Sequence, residues 1–309
     1  MRDGGVLYIG DTHIGKRFRT GVPLDRLGER EQLIYDCFNL LLNDSDPEIE
    51  MVIHLGDLFD RPTVNYDDLY ATYKFIASAA NRNPDRKYVF LQGNHDLSRN
   101  TEMTTAMEVL RELLSPVKNV EFVLNFPVNI GNYLFVPYSF NQEFLSRHRE
   151  WVTGEHITLC GHFDEPFPHE IFGDYGKVVT GHIHTPRQEL NVNVVGSVIP
   201  MTFGEDPEGK LYRTLTLPEL ELALKEEGSE FYCYRVVLKD GEVLPEGVNC
   251  RQLISIKEGE QEIINTNLEE EWKDANLDID YLMREALEHL GLYDEIYMKY
   301  LELKAETNV

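Results

Sequence analysis

Five short segments of this chain place a glycine directly before a carboxylate, amide or imidazole side chain, and each follows an apolar run. The segments are Gly10-Asp11-Thr12-His13, Gly56-Asp57, Gly93-Asn94-His95-Asp96, Gly161-His162 and Gly181-His182-Ile183-His184. Because the carboxyl ends of strands in an α/β sheet meet at one edge, we expect these side chains to converge there. A glycine before the polar residue lets the backbone turn without blocking a cleft. The pattern predicts an α/β fold with one polar site.

Apolar runs and helical patterns alternate over the first two hundred residues, which favours a layered α/β domain. The first predicted elements are strand Val6–Gly10, helix Glu29–Leu42, strand Met51–Leu55, helix Asp67–Ala80, strand Tyr88–Gln92 and helix Glu102–Leu114. Denser strands follow, at Glu121–Leu124, a hairpin around Gly131-Asn132, His156–Gly161, Lys177–Gly181 and Gln188–Val195. We therefore predict a two-sheet sandwich flanked by helices.

The pattern of predicted elements changes at an acidic loop near residue 205. Beyond it, Phe231–Leu238 and Leu253–Ile256 predict a small β unit, and Asn276–Leu290 and Leu292–Lys304 predict two helices. We expect three regions, 1–205, 206–265 and 266–309, the last two forming a small α+β appendage.

Charge and cysteine content restrict the function classes. The net charge is −25, and the last 109 residues hold 26 acidic against 11 basic side chains, so the average field repels a polyanion.

Four widely spaced cysteines without a CxxC pair argue against a disulfide framework or thiolate zinc site. The chain has no apolar run long enough for a membrane helix and no signal-peptide pattern at its start. We expect a cytoplasmic protein without membrane contact.

The donor types suit phosphodiester hydrolysis. Two divalent ions about 3.5–4 Å apart can hold a phosphate, generate the nucleophile and stabilise the leaving oxygen. Such a pair needs a bridging carboxylate and ligands from separate strands. Mixed nitrogen and oxygen donors without thiolate favour manganese or iron over a closed structural zinc site.

These segments resemble the signature of the calcineurin-like metallophosphoesterases. The similarity is greater to the nuclease branch, which comprises SbcD, the meiotic recombination eleven nuclease and the small subunit of phage recombination endonucleases. It rests on Gly56-Asp57-Leu58-Phe59-Asp60-Arg61-Pro62, Gly181-His182-Ile183-His184 and the segment from Gly196 to Glu205. The resemblance covers about residues 6–205, and the short chain looks most like a phage small subunit.

The resemblance implies a metallophosphoesterase fold and a role for each matching residue. One metal would be held by Asp11, His13 and His184, the other by Asn94, His162 and His182, with Asp57 bridging them. His95 would contact the phosphate or protonate the leaving oxygen. Asp96 would orient His95 or support its loop, and Arg61 would contact phosphate or lie on the surface. The cofactors would be two divalent ions, manganese in preference to magnesium.

The weakest of these assignments is His162, because its motif is only Gly-His. His156, His148 and His169 are competitors, but His162 follows the apolar strand directly, whereas His156 lies at its start. We expect His54, inside a strand, to be a core residue.

The expected DNA-binding footprint is small. Lys16, Arg17 and Arg19 follow the first segment, and Arg99 and Arg187 lie near ligand loops. The resemblance implies a homodimer within a heterotetramer, in which an SbcC-type ABC-class ATPase contributes DNA binding. Region 206–265 would be a capping domain, and helices around Leu282–Leu301 would either dock the ATPase or pack on their own domain. Helices Asp67–Ala80 and Glu102–Leu114 would supply the dimer interface.

The resemblance thus implies a manganese-dependent DNA nuclease subunit, a 3′–5′ duplex exonuclease and single-strand endonuclease acting in DNA repair, recombination or replication. One alternative is a phosphodiesterase or phosphatase for a small molecule or phosphoprotein. Another is a scaffold that has lost catalysis, which the complete ligand set disfavours.

Overall fold

A sandwich of two β-sheets forms the centre of this computed structural model, which describes residues 1–100 and 102–259. The first sheet has the order β1-β2-β3-β4-β5, with β2 to β5 parallel and β1 antiparallel at the edge. Its strands are β1 (Arg2–Asp3), β2 (Val6–Ile9), β3 (Met51–His54), β4 (Lys87–Leu91) and β5 (Val120–Val123).

The second sheet has the order β10-β11-β9-β8-β7-β6. The four inner strands run parallel, and an antiparallel strand closes each edge. Its strands are β6 (Val128–Ile130), β7 (Tyr133–Val136), β8 (Gly154–Gly161), β9 (Tyr175–Thr180), β10 (Arg187–Glu189) and β11 (Val192–Val194).

The alternation of side chains along the strands explains the layers. One face of the first sheet, including Tyr8 and Ile53, packs with Phe135 and Val179 of the second sheet in a shared core. The opposite face of the first sheet is covered by α1 (Glu29–Leu42), α2 (Tyr66–Arg82) and α3 (Ala106–Leu114). The outer face of the second sheet packs near α4 (Asn141–Ser146) and α5 (His169–Phe172). The predicted sandwich flanked by helices is confirmed.

A third sheet follows the sandwich and contains three parallel strands, β12 (Tyr212–Thr216), β13 (Cys233–Leu238) and β14 (Gln252–Lys257). The connection between β12 and β13 contains α6 (Leu217–Ala223), which begins at a capping box formed by Thr216 and Glu219. The described residues belong to one compact unit. The division at 205 and 265 therefore stays a prediction, and the predicted helices after Asn276 lie outside the described residues.

Most predicted elements are present, with three corrections. The predicted single strand Gln188–Val195 is wrong, because the chain turns at Leu190, whose φ is +52°, and forms the β10–β11 hairpin. Helix α3 begins after Thr105 rather than at Glu102, because Thr105 and Glu108 form a capping box. Helices α4, α5 and α6 and strands β1 and β12 were not predicted. None of the helices in the described ranges is long and apolar enough to span a bilayer.

Candidate metal centre

The carboxyl ends of strands from both sheets meet at one site. Asp11 and His13 follow β2, Asp57 follows β3, Asn94 and His95 follow β4, His162 follows β8, and His182 and His184 follow β9. The two-sheet sandwich brings all of these side chains together. Two overlapping groups have ligand atoms within 4.8 Å of one another, one being His13, Asp57 and His95 and the other Asp57, His162 and His182.

The first half of the site is centred on two imidazoles from different sheets. His13 Nε2 lies 3.0 Å from His184 Nε2 and 3.6 Å from Asp57 Oδ2. His13 is fully buried, and His184 is partly exposed. Two imidazole nitrogens and a carboxylate oxygen therefore face a common point.

The second half is centred on an amide oxygen. Asn94 Oδ1 lies 2.9 Å from His162 Nε2 and 3.0 Å from His182 Nδ1. Asp57 Oδ2 lies 3.4 Å from His162 Nε2, so the same carboxylate oxygen borders both halves. This is the position that a bridging ligand requires.

An oxygen atom lies beside the outer ring nitrogen of each of the four histidines. The nitrogen–oxygen pairs are His162 Nδ1 with Leu55 O at 2.8 Å, His182 Nε2 with Asp164 Oδ1 at 3.0 Å, His184 Nδ1 with Glu205 Oε1 at 3.1 Å, and His13 Nδ1 with Asp60 Oδ1 at 3.4 Å. The oxygen partners of His162, His182 and His184 favour the tautomer whose inner nitrogen carries a lone pair, whereas His13 Nδ1 makes no hydrogen bond among the described residues. In that tautomer the inner nitrogen presents its lone pair to the centre, as a metal ligand does.

Asp11 supports the same interpretation. Its side chain is fully buried, and its Oδ1 accepts a hydrogen bond from the backbone N–H of His182 at 3.1 Å. Its Oδ2 is buried with no hydrogen-bond partner among the described residues. An unpartnered buried carboxylate oxygen is costly unless it binds a cation, so the residues present fit divalent metal ions.

The pKa shifts describe a centre with fixed negative charge. Burial alone would raise the pKa of Asp57, but the neighbouring His162 and His13 hold it well below its usual range. Burial would lower the pKa of His162, but Asp57, Asp11 and the bond to Leu55 raise it to about 9. The carboxylate therefore stays ionised at any ordinary pH, as a metal ligand must.

The backbone is strained where it presents the ligands. His13, Asp57 and His182 have φ values of +47°, +53° and +75°, in the left-handed region that few non-glycine residues adopt. Such conformations cost about 1–3 kcal/mol each and occur at functional sites. Gly93 allows Asp57 to approach closely, because a Cβ at Gly93 would lie 2.2 Å from Asp57 Oδ1.

His95 lies beside the first half of the site. Its ring centroid is 4.7 Å from that of His13, and its backbone N–H donates to Asp57 Oδ1 at 2.9 Å. Its Nδ1 lies 2.9 Å from the carbonyl oxygen of Asp60 and donates to it, which leaves Nε2 for other partners. The short distance between the His95 and His13 rings puts His95 within reach of a metal held by His13 and Asp57. The expected role of His95 as an acid rather than a ligand therefore stays a prediction.

Asp96 contacts the backbone. Its carboxylate accepts hydrogen bonds from the N–H groups of Gly93 at 2.9 Å, Phe59 at 3.0 Å and Leu58 at 3.3 Å. Of the two roles expected for Asp96, these bonds favour support of the loops over orientation of His95.

The competing histidines lie elsewhere. His156 is exposed at the start of β8, His148 lies 3.5 Å from Asp174, and His169 bonds Glu189 at 2.7 Å. His54 is fully buried, contacts Thr12 Oγ1 at 3.1 Å, and has its pKa lowered to about 3 by burial. His54 is therefore a neutral core residue, whereas His162 contacts the other candidate ligands.

The predicted cationic footprint is largely paired with acids. Lys16 Nζ lies 3.2 Å from Asp60, and Arg17 bonds Asp68 at 2.6 Å. Arg19 and Arg61 are exposed. Cations that already have acidic partners offer little charge to a phosphate backbone.

Several residues of this site were not predicted. Asp60, Asp164 and Glu205 lie against ligand histidines, and the ring of Tyr138 lies 5.9 Å from His162 and 6.1 Å from His182. Asp60 lies three positions after Asp57, and Asp164 lies two positions after His162. This closeness to candidate ligands in the sequence is the signal by which the two residues could have been predicted. Tyr138 follows β7, and no motif near it marks it as a site residue.

Comparisons with known proteins agree with this geometry. The family described as calcineurin-like phosphoesterase matches residues 5–186. The DNA double-strand break repair protein Mre11 of Saccharolobus solfataricus is 31% identical over 109 residues, which are 35% of this chain and 26% of that protein. The Mre11 protein of Methanosarcina acetivorans is 28% identical over 109 residues, or 35% and 16% of the two chains.

A crystal structure of a protein of unknown function from Aquifex aeolicus matches 62% of this chain and 88% of its own, at 13% identity and a TM-score of 0.28, too low to bear on function. The resemblance predicted from the motifs is confirmed by the family match, which covers more than half of the chain. This chain belongs to the calcineurin-like phosphoesterase family.

Proposed function

We propose that this chain is the nuclease subunit of a DNA-processing complex and hydrolyses phosphodiesters with two divalent cations, manganese in preference to magnesium. The observation that carries the proposal is the position of Asp57 Oδ2, which lies 3.6 Å from His13 Nε2 and 3.4 Å from His162 Nε2. One ion would be held by Asp11, His13, His184 and Asp57, and the other by Asp57, Asn94, His162 and His182. Nitrogen and oxygen donors without thiolate suit manganese.

The reaction would combine metal chemistry with a proton donor from the chain. The chemistry supplied by such ions when bound is activation of water and neutralisation of phosphate oxygens. The oxygen partners of His162, His182 and His184 would fix these imidazoles before substrate arrives. Because Nδ1 of His95 donates to Asp60 O, its Nε2 carries the transferable proton in the imidazolium form. Cationic His95 would donate that proton to the leaving oxygen.

Similarity to the archaeal break-repair proteins supports DNA as the substrate. We propose 3′–5′ exonuclease action on duplex ends and endonuclease action on single strands, in break processing, recombination, repair or replication. The matched region is 26% and 16% of the length of those two proteins. Polarity, substrate form and partners are accordingly parts of the proposal.

The charge distribution supports a partner that delivers DNA. The net charge is −25, and Lys16 and Arg17 contact acidic side chains. Affinity for DNA normally comes from several neutralised phosphates. We propose that an SbcC-type ATPase supplies them and is bound by the predicted helices around Leu282–Leu301, which lie outside the described ranges. We also propose that two nuclease subunits pair through α2 and α3.

Cleavage of end-labelled linear duplex DNA tests the proposal. The purified chain and its ATPase partner would be assayed together and separately with Mn²⁺, Mg²⁺ or EDTA, with His184→Ala excluding a contaminating nuclease. The proposal predicts Mn²⁺-dependent release of nucleotides from the 3′ end, stimulated by the partner and absent in the variant. Release from the 5′ end, or no cleavage by the complex although Mn²⁺ binds, would contradict it.

A second candidate is a phosphodiesterase or phosphatase for a small molecule or phosphoprotein. The pairing of Lys16 and Arg17 with acids favours it, because a small substrate needs no extended cationic surface. Turnover of small phosphate esters by the full complex, together with intact DNA in the same tubes, would favour this candidate.

A further inference from the structure

The ligand His184 is held by a carboxylate at the end of the sandwich. His184 Nδ1 lies 3.1 Å from Glu205 Oε1, and His184 Nε2 is the atom that faces His13. Glu205 therefore determines which nitrogen of His184 faces the metal centre.

Glu205 is fixed in turn by the segment before it. Its Oε2 accepts the backbone N–H of Met201 at 2.6 Å, and its Oε1 accepts the hydroxyl of Thr202 at 3.0 Å. The carbonyl of Met201 accepts the hydroxyl of Tyr212 at 2.8 Å and a guanidinium N–H of Arg30 at 3.2 Å. The turn that presents Glu205 is thus held from β12 and from α1.

Arg30 is a buried cation that joins three parts of the molecule. Its side chain is 4% exposed, and its guanidinium carbon lies 3.5 Å from the centroid of Phe18. It donates to Gln252 Oε1 of β14 at 2.9 Å and to the hydroxyl of Tyr212. Within the described ranges, no carboxylate lies at ion-pair distance from Arg30. Its hydrogen bonds therefore depend on the third sheet being in place.

The third sheet also contacts the loop that follows His13. Gln252 Nε2 donates to the carbonyl of Thr20 at 2.7 Å, and the N–H of Leu253 donates to that of Gly21 at 2.8 Å. A Cβ at Gly21, whose φ is +66°, would lie 2.4 Å from Leu253 O. The sheet and this loop thus fit closely only with glycine at position 21.

We propose that Arg30 is a positioning residue that makes the His184 half of the metal centre dependent on docking of the third sheet. Arg30 and Tyr212 donate hydrogen bonds to the carbonyl of Met201, and the N–H of Met201 donates to Glu205. Glu205 in turn orients His184. Displacing the sheet removes two hydrogen-bond acceptors of the buried Arg30 guanidinium. Arg30 then no longer stays in place to donate to the carbonyl of Met201. This inference rests on the proposed metal centre but not on its DNA substrate.

Binding of Mn²⁺ alone to the full chain tests the proposal, with calorimetry giving the affinity and electron paramagnetic resonance the stoichiometry. His184→Ala and His182→Ala identify which of the two sites each variant affects. We expect Glu205→Ala to weaken the His184 site by about 10–100-fold, as loss of an outer partner of a metal ligand does. Arg30→Met should weaken the same site by up to about tenfold and leave the other unchanged. Arg26→Met is the control, since Arg26 contacts Asn249 of the same region but not Met201.

The double variant separates positioning from general destabilisation. Because Arg30 acts through Glu205, adding Arg30→Met to Glu205→Ala should cause less than about a twofold further loss of Mn²⁺ affinity. Additive losses, equal weakening of both sites, or an unchanged His184 site would each overturn the proposal.

Gly21→Ala provides a test that alters neither Arg30 nor Glu205. It should weaken the His184 site by displacing the third sheet. Gly131→Ala, at a φ of +58° with nothing near the new Cβ, should leave Mn²⁺ affinity unchanged. Equal effects of the two glycine variants would contradict the proposal. A wild-type chain that binds two Mn²⁺ ions but cuts no DNA even together with its ATPase partner contradicts the nuclease proposal alone.

Discussion

The metal centre and the cationic surface beside it are built very differently. At the centre, ligands from five strand ends converge, and each ligand histidine has an oxygen atom beside its outer nitrogen. At the surface, Lys16 and Arg17 are paired with acids, and Arg19 is exposed. Many residues are placed to hold metal ions for hydrolysis, whereas few cationic side chains are available to bind a polyanion.

This difference indicates a division of labour. The candidate ligands lie close together, and neighbouring histidines hold the pKa of Asp57 well below its usual range, so we expect the centre to bind cations without a partner. A chain with a net charge of −25 attracts DNA weakly, because long-range repulsion opposes the few local contacts. The comparison predicts that substitutions at the centre abolish hydrolysis of any phosphodiester, while substitutions at the surface affect DNA alone.

The largest effect is expected from Asp57→Asn. The substitution removes the negative charge that borders both halves of the centre, and loss of both ions withdraws several kcal/mol of transition-state stabilisation. Hydrolysis of bis(p-nitrophenyl) phosphate should fall by at least about 10⁴-fold, and bound Mn²⁺ should fall with it. Spectrophotometric rates and metal analysis check this. Retained turnover with full metal content would contradict the bridging role.

A smaller effect is expected from His95→Asn. Loss of a general acid typically costs about 10²–10⁴-fold, and we expect the lower half of that range for DNA, with both Mn²⁺ ions still bound. Since p-nitrophenolate leaves without a proton, hydrolysis of its diester should fall much less. The two rates and the metal content distinguish the possible roles of His95. Loss of a metal ion would identify it as a ligand instead.

Arg19→Gln should have an effect of only a few fold, on DNA binding. Removing one phosphate contact lowers the slope of log affinity against log salt concentration by about one. A salt titration of DNA binding by the complex measures it, and hydrolysis of the small diester serves as the control. An altered rate on the small diester would place Arg19 in the metal centre.

Truncation before Asn276 should leave hydrolysis of the small diester unchanged. The same truncation should abolish association with the ATPase, because the two predicted helices are proposed to dock it. Co-purification with the ATPase and the diester rate measure the two properties. Association that survives truncation would exclude this docking segment.

The convergence of the candidate ligands could be predicted from the sequence because these residues follow strands, whereas their role as ligands stays a prediction. Asp11, Asp57 and His162 each come directly after a glycine at a strand end, so topology alone places them at one edge. Helix Glu29–Leu42 was predicted with its observed bounds, because its apolar spacing marks one buried face.

The supporting residues could not be predicted because they depend on contacts between distant segments. Glu205 reaches His184 only because the chain forms a 3-10 turn at Phe203–Glu205, and Arg30 reaches Gln252 across 222 positions. Local signals were also misread. The β10–β11 hairpin turns at Leu190 without glycine, and the capping box at Thr216 was overlooked.

Two-metal hydrolysis by this chain is tested most directly with bis(p-nitrophenyl) phosphate and the purified chain without a partner, in Mn²⁺ and in EDTA. We expect Mn²⁺-dependent turnover that saturates near two ions per chain, disappears in Asp57→Asn, and persists when Arg19 is replaced by Gln. A chain that binds two Mn²⁺ ions and still fails to hydrolyse the diester would exclude two-metal hydrolysis at this centre.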